Sequence, residues 1–363
     1  HFEPFENDFQ VRYRIDGVLH VANVPPEIRR FQNAIISRIK ILSNLNIAER
    51  RLPQDGGFKI KAHGREIDLR VSIITMAFGE GIVLRILDRT SVKLDLPTLG
   101  MEGKTYEMFQ DLISRPHGIL LVTGPTGSGK TTTLYAALRE IVSDELKILT
   151  IEDPVEYYLG GVNQTQILPK IGLTFARALR SFLRHDPDVI LVGEIRDKET
   201  AEVAINASLT GHLVFSTLHT NDAVTATTRL LDMGVEPFLV SSSLEAVLAQ
   251  RLVRLICKHC KEEYLPDNPA KLPPDFKYQR GEKLFRGKGC KECRNTGFSG
   301  RRALYELLVM DDELREMVLN QASASQLQTV ACEHGLVLMR DVGWELCRRG
   351  FTTPQEVLRV TKV

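Results

Sequence analysis

Apolar positions follow two different periods along the chain. In the first residues Val11, Tyr13 and Ile15 alternate with polar neighbours, break at Asp16-Gly17, and resume at Val18 and His20, which predicts a hairpin closed by a tight turn. Ile28, Phe31, Ile35, Ile39 and Leu42 then recur at spacings of three and four, predicting a helix over about 27–45. Strands are expected over 58–62, 66–73 and 82–88, after a turn-forming run at 53–57. Beyond 94–100, a segment with Pro97 that reads as a linker, the pattern changes. Short apolar runs at 119–123, 147–151, 189–192 and 213–218 alternate with helical stretches at 131–142, 174–184 and 198–210. That alternation predicts βαβ units and a mostly parallel sheet covered on both faces, an α/β architecture. Helices are expected to dominate from there to the end, interrupted by a cysteine-bearing insert.

Composition narrows the function. The 363 residues, 43% hydrophobic and 26% charged, fit a globular protein of two or three domains. Lys and Arg total 47 against 46 Asp and Glu, so the chain lacks the basic surplus of a protein whose main business is neutralising phosphate backbones. Uninterrupted apolar runs reach about five residues, as at 118–122, against the roughly 20 that span a bilayer. The chain opens at His1 inside a strand pattern and shows no signal peptide, so it reads as a fragment lacking a native N-terminus.

Four of the six cysteines form two C-x-x-C pairs, Cys257/Cys260 and Cys290/Cys293, with 29 residues between the pairs. Two such knuckles bring four thiolates into a tetrahedron, the arrangement structural zinc requires. The intervening stretch holds Pro266, Pro269, Pro273, Pro274 and Gly281 and few apolar residues, so it needs a staple to fold. The rival reading is a redox motif, but one pair would suffice for that. Cys332 and Cys347 read as small buried apolar residues.

Gly124-Pro125-Thr126-Gly127-Ser128-Gly129-Lys130-Thr131 fits G-x-x-x-x-G-K-[ST], with an apolar strand before it and a helix former after it. Its backbone N–H groups can wrap phosphate oxygens, Lys130 can reach the β- and γ-phosphates, and Thr131 can ligate Mg²⁺. Hydrolysis needs more. The run 188–194 reads as a buried strand ending in Glu194, with Gly193 standing where such strands usually carry Asp, so Glu194 is left to act on Mg²⁺ or its water. The acidic cluster Glu152-Asp153-Pro154-Val155-Glu156 follows another strand, at the carboxyl edge where parallel sheets bind ligands, and Pro154 makes it a loop. His212 and His219 bracket the next strand and could sense a phosphate or cap strand ends. Arg70 and Arg85 lie inside strands of the first domain; Arg70 falls opposite its apolar neighbours.

Together these motifs resemble the secretion ATPases of type II secretion and type IV pilus assembly, the GspE-like and PilB-like motors, over essentially the whole chain. The resemblance is carried by Glu3-Pro-Phe-Glu6, Asp68-Leu-Arg-Val-Ser72, Gly79-Glu80, the P-loop, Ile151 to Glu156, the 186–197 run, Ser208 to His219 and the four cysteines. It implies a small α+β, PAS-like domain over 1–93, a linker at 94–100, and a RecA-like P-loop ATPase domain over 101–363 with a zinc-binding insert at 257–293 and a helical C-terminal region. It implies that Glu156, then Glu152, polarises the attacking water, that Glu194 is the Walker B glutamate, and that His212 and His219 couple phosphate state to domain position. Arg70 and Arg85 match arginines that approach the γ-phosphate; Arg180, Arg184 and Arg196 match arginines lining a subunit contact. The family assembles as hexamers, uses ATP and Mg²⁺, and works at the cytoplasmic face of the bacterial inner membrane, docked on secretion-platform proteins through a further N-terminal domain. Pilus retraction motors lack the cysteine insert, which points to a secretion or assembly motor, and the 230–254 segment resembles the type II secretion side. A ring helicase is the rival enzyme class, disfavoured by the charge balance and the lack of an aromatic-rich basic segment. A nucleotide-gated scaffold is the rival without catalysis.

Overall fold

The computed structural model describes residues 1–62, 64–87, 95–268 and 272–361, in two units, His1–Lys93 and Leu94–Val363. In the first unit Asp16 and Gly17 both take positive φ, 48° and 85°, so the chain reverses in two residues. That turn joins β2 (Phe9–Ile15) to β3 (Val18–Val21), and β1 (Phe2–Pro4) pairs on the other side of β2. With β4 (Gln54–Ala62), β5 (Arg65–Met76) and β6 (Gly79–Leu87) they make one antiparallel sheet, ordered β3-β2-β1-β6-β5-β4. Helix α1 (Gln32–Leu42) lays Ile36 and Ile39 on Val71, Ile73 and Ile82 of the sheet. The fully buried ammonium of Lys40 sits 2.6 Å from Glu80 and fastens the helix to β6. The helix expected from about residue 27 begins later: after extended Pro25, Pro26–Phe31 winds as a tighter 3₁₀ turn.

In the second unit the strand–helix alternation is realised. Helices α2 (Leu96–Leu99) and α3 (Gly103–Ile113) lead into β7 (Gly118–Thr123), α4 (Lys130–Ile141), β8 (Ile148–Glu152), β9 (Val162–Gln166), α5 (Phe175–Phe182), β10 (Val189–Val192), α6 (Lys198–Leu209) and β11 (Leu213–Leu218). β7, β8, β10 and β11 are buried at every residue, as expected of parallel strands with both faces covered. Residues 95–100, expected as linker, instead belong to this core: Asp95 caps α2 through Thr98 N–H at 2.7 Å, and Leu96 and Met101 are 0% exposed. Leu94 lies outside the described residues.

The larger departure lies after residue 218. Helices α7 (Val224–Asp232) and α8 (Pro237–Ser243) are followed by the long strand β12 (Leu244–Ile256), then by β13 (Lys261–Tyr264) and β14 (Leu284–Gly287) of the insert, and by β15 (Phe298–Val309). The seven-stranded order is β15-β12-β7-β11-β10-β8-β9, with β12 parallel to β7 and β15 antiparallel to β12. The region expected to be dominated by helices thus begins with two strands that widen the sheet, and helices follow only after them: α9 (Asp312–Leu319), α10 (Ala324–Glu333), α11 (Met339–Arg348) and α12 (Pro354–Thr361). Pairing on both edges and burial on both faces override the helix preference of the Leu, Ala, Gln and Arg in β12.

Candidate active site and tetracysteine cluster

The glycine-rich loop leaves β7 at its carboxyl end and opens α4 at Lys130. Gly124 has φ 145°, and a Cβ there would stand 2.5 Å from the Gln250 carbonyl oxygen and 2.7 Å from Ser128 Oγ, so only glycine fits. Gln250 of β12 braces the loop from below, donating from Nε2 to Ser128 O at 2.6 Å. The sequence gives a faint signal of Gln250, a polar residue inside an apolar run. Thr126, Gly127 and Thr131 are exposed. Lys130 Nζ donates to Gly124 O at 2.8 Å and Pro125 O at 3.2 Å, and burial lowers its pKa against the opposing pull of Glu194.

Parallel strands deliver the other groups to the same edge. Glu194 follows Gly193 directly beyond β10; Arg196 Nη2 lies 2.5 Å from its Oε1 and His219 Nε2, beyond β11, 3.5 Å from its Oε2. Arg196 also reaches within 4.0 Å of Asp153, beyond β8. Gly193 is where the two strands crowd: a Cβ there would lie 3.2 Å from Ile151 O and 3.3 Å from Glu152 Cα, a tight fit for any side chain. Glu152, the last residue of β8, is turned inward at 3% exposure. Its carboxylate accepts from the Tyr135 hydroxyl, from Thr150 Oγ1 at 2.5 Å and from Gln164 Nε2 at 3.1 Å. Both oxygens are engaged, so Glu152 acts as an internal link, whereas Glu156 sits on the loop beyond, half-buried.

His212 is separated from this group. It precedes β11, and its backbone oxygen accepts from Gly118 N–H at the amino end of β7, while Nδ1 contacts Ala207 O at 2.8 Å. Six residues of strand at about 3.3 Å each place it about 20 Å from the phosphate edge, so it is no part of the nucleotide site. Arg180, on α5, pairs with Glu199 at 2.7 Å, and Arg184, two residues past the end of that helix, donates to Arg180 O at 2.9 Å; both are exposed. In the first unit Arg70 and Arg85 are directly opposite each other across β5 and β6, on the face turned away from α1.

In the insert the Sγ atoms of Cys257, Cys260, Cys290 and Cys293 all lie within 4.8 Å of one another. Neighbouring pairs are at 3.9, 3.8 and 3.6 Å. A regular tetrahedron with metal–sulfur bonds of about 2.3 Å has edges of about 3.8 Å, so the three closest pairs match the edges of a zinc site. Burial opposes ionisation of Cys293, yet the backbone N–H groups of Cys290 and Gly297, aimed at its Sγ, carry the thiol down to about 6. Of the other two thiols Cys347 is buried, but Cys332 is exposed on α10, contrary to expectation.

A phosphate-wrapping loop, its lysine, and a carboxylate and histidine collected at the carboxyl edge of a parallel sheet define a P-loop nucleotide-hydrolysing protein. The model of the type II/IV secretion system protein family matches residues 1–359, and the chain belongs to that family. It is 49% identical to the type II secretion system ATPase E of Vibrio cholerae serotype O1, over 100% of this chain and 71% of that protein. It is 50% identical to the type IV pilus assembly ATPase PilB of Myxococcus xanthus, over 99% of this chain and 64% of that protein. Among solved structures it is similar to the pilus retraction motor PilT with bound ADP, at 26% identity and a TM-score of 0.62, over 97% of this chain and 90% of that one. No helix among the described residues is long and apolar enough to cross a membrane.

Proposed function

We propose that the chain is the motor ATPase of a type II secretion system, hydrolysing ATP to drive pseudopilus assembly and protein export. The observation that carries this is the joint placement of the P-loop, Glu194 and His219 at one sheet edge in a chain 49% identical to a type II secretion ATPase. Gly124 to Thr131 cradle the phosphates, with Lys130 turning from its own loop carbonyls to the β- and γ-oxygens. Thr131 and Glu194 are the residues to hold Mg²⁺, which when bound offsets charge on the phosphoryl oxygens. Glu156 orients the attacking water, His219 reads the phosphate state through Glu194, and Arg196 joins Glu194 to Asp153. Arg70 and Arg85, like charges placed side by side, form a cationic face suited to a phosphoryl group. Arg180, Arg184 and Arg196 contribute to subunit contacts in a hexamer. The tetracysteine cluster holds a structural zinc, closed to catalysis because thiolates fill all positions. The motor works in the cytoplasm, on the inner face of the inner membrane, through platform proteins.

Assembly of a type IV pilus is the second reading, favoured by the 50% identity to PilB. Two measurements test the proposal. Purified protein hydrolyses ATP only with a divalent cation, and Lys130→Ala abolishes turnover; wild-type turnover in that variant refutes the ATPase reading. The full-length protein copurifies with inner-membrane components of the secretion platform; copurification with the pilus platform instead transfers the assignment to the second reading.

A further inference from the structure

If Glu156 orients the water, its loop must keep a fixed distance from the P-loop, and the chain contains a device for that. Tyr135 lies on α4, one and a half turns past Lys130, and is 0% exposed. Its hydroxyl is a hub. It donates to Glu152 and accepts from Gln164 Nε2 at 3.2 Å. Gln164 of β9 in turn donates to Tyr157 O at 3.2 Å and accepts from Leu159 N–H at 2.7 Å. The Tyr157 ring meets that of Tyr135 edge to face, with centroids 4.6 Å apart. The loop is thus gripped at 157 and 159 by two side chains rooted in α4 and β9. Burial, and after it the Glu152 carboxylate, pushes Tyr135 ionisation far upward, so the hydroxyl remains a donor wherever the protein is folded.

We propose that Tyr135 is a positioning residue for hydrolysis: its hydroxyl, through Gln164, and its ring, against Tyr157, tie the loop that carries Glu156 to the helix that starts at Lys130, so that Glu156 keeps its place relative to the bound phosphates. The proposal rests on the assignment of the water-orienting role to Glu156. Glu152, whose carboxylate accepts the hydroxyl's hydrogen bond, completes the tie from the β8 side.

The test uses the full-length protein and MgATP, with Tyr135→Phe, which removes one oxygen and keeps the ring contact with Tyr157. The expected result is a kcat lowered about tenfold or more with KM for ATP within about twofold, since nucleotide binding is untouched while the attacking geometry loosens. Tyr135→Phe in a Glu156→Gln background then adds no further loss. Gln164→Met, which removes the amide serving the same hydroxyl, reproduces the split and guards against a Tyr135 variant that fails to fold. Wild-type kcat in Tyr135→Phe, with Glu156→Gln impaired, overturns the proposal and leaves the Glu156 assignment standing. Equal effects on kcat and KM, or losses that add to Glu156→Gln, reduce the network to structural support and overturn it too. Wild-type turnover in Glu156→Gln removes the assignment itself, and the proposal with it.

Discussion

Glu356 on α12 is 2% exposed and sits between two guanidinium groups. Arg254 of β12 donates to it from Nε at 3.1 Å and Nη2 at 2.8 Å, and Arg359 from Nε at 2.8 Å and Nη2 at 2.5 Å. Burial alone would raise the carboxyl pKa, but the hydrogen bonds from Arg359 and then Arg254 carry it from 4.5 down to about 2. The fall from 4.5 to about 2 corresponds to about 3 kcal/mol of stability from the ionised form. Because the folded pKa is depressed, that contribution is fully present above the unfolded value of 4.5 and lost as pH falls toward 2, with about half gone near pH 3.3. Glu356→Gln keeps the shape and removes the charge, so at pH 7 it should cost about 3 kcal/mol, in the range for breaking a buried pair by removing one partner. The chain offers its own reporter: its single tryptophan, Trp344, is 2% exposed on α11, which packs against α12. Urea unfolding followed by its fluorescence should show a lower midpoint for Glu356→Gln at pH 7 and a gap to wild type that narrows between pH 4.5 and 3. A cost below about 1 kcal/mol at pH 7, or a gap that widens on acidification, refutes the reasoning.

Two further outcomes follow from the site geometry. Metal analysis of reduced, folded protein should find one zinc per chain, and Cys290→Ser should lose it together with hydrogen-exchange protection of 257–297; zinc-free folded protein contradicts the tetrahedral reading. His219→Ala, which removes the imidazole beside Glu194, should lower ATP turnover, while His212→Ala leaves it within about twofold of wild type; a larger loss in His212→Ala would mean that the amino edge of β11 takes part after all.

The sequence-based reading succeeds where one physical signal dominates. β7, β8, β10 and β11 are short, mostly apolar runs between helical stretches, and the P-loop glycines punctuate the chain where strand must become helix. It fails on β12, where Ala246, Val247, Leu248, Leu252, Val253 and Ile256 match a helical stripe as well as a strand buried on both faces, and only pairing with β7 and β15 decides. Glu152 and Glu156 look alike in sequence. What separates them is Tyr135, whose hydroxyl draws the Glu152 carboxylate inward from a helix whose packing no local pattern encodes. The misplacement of His212 has a different origin, since a residue just before a parallel strand lies at its amino edge, and the alternation of elements already contained that information.

One of the strands missed in sequence, β12, also braces the site. Adjacent residues of a strand project to opposite faces, and β12 uses this at Gln250 and Arg251. Gln250 holds the P-loop through Ser128 O, while Arg251 holds Asn221, two residues past His219, through Nη2 at 3.0 Å. The same guanidinium donates from Nε to Val360 O of α12 at 3.1 Å. One strand therefore fixes the phosphate loop and the histidine loop against each other, and it is fixed in turn by the C-terminal helix. Since Arg254, three residues past Arg251 on β12, is the group clamped by Glu356, loosening that clamp releases α12 from the strand that sets both loops. A Glu356 variant is thus expected to lose ATP turnover at temperatures where the P-loop strand β7 itself is still folded, with Lys130 and His219 no longer held in mutual register.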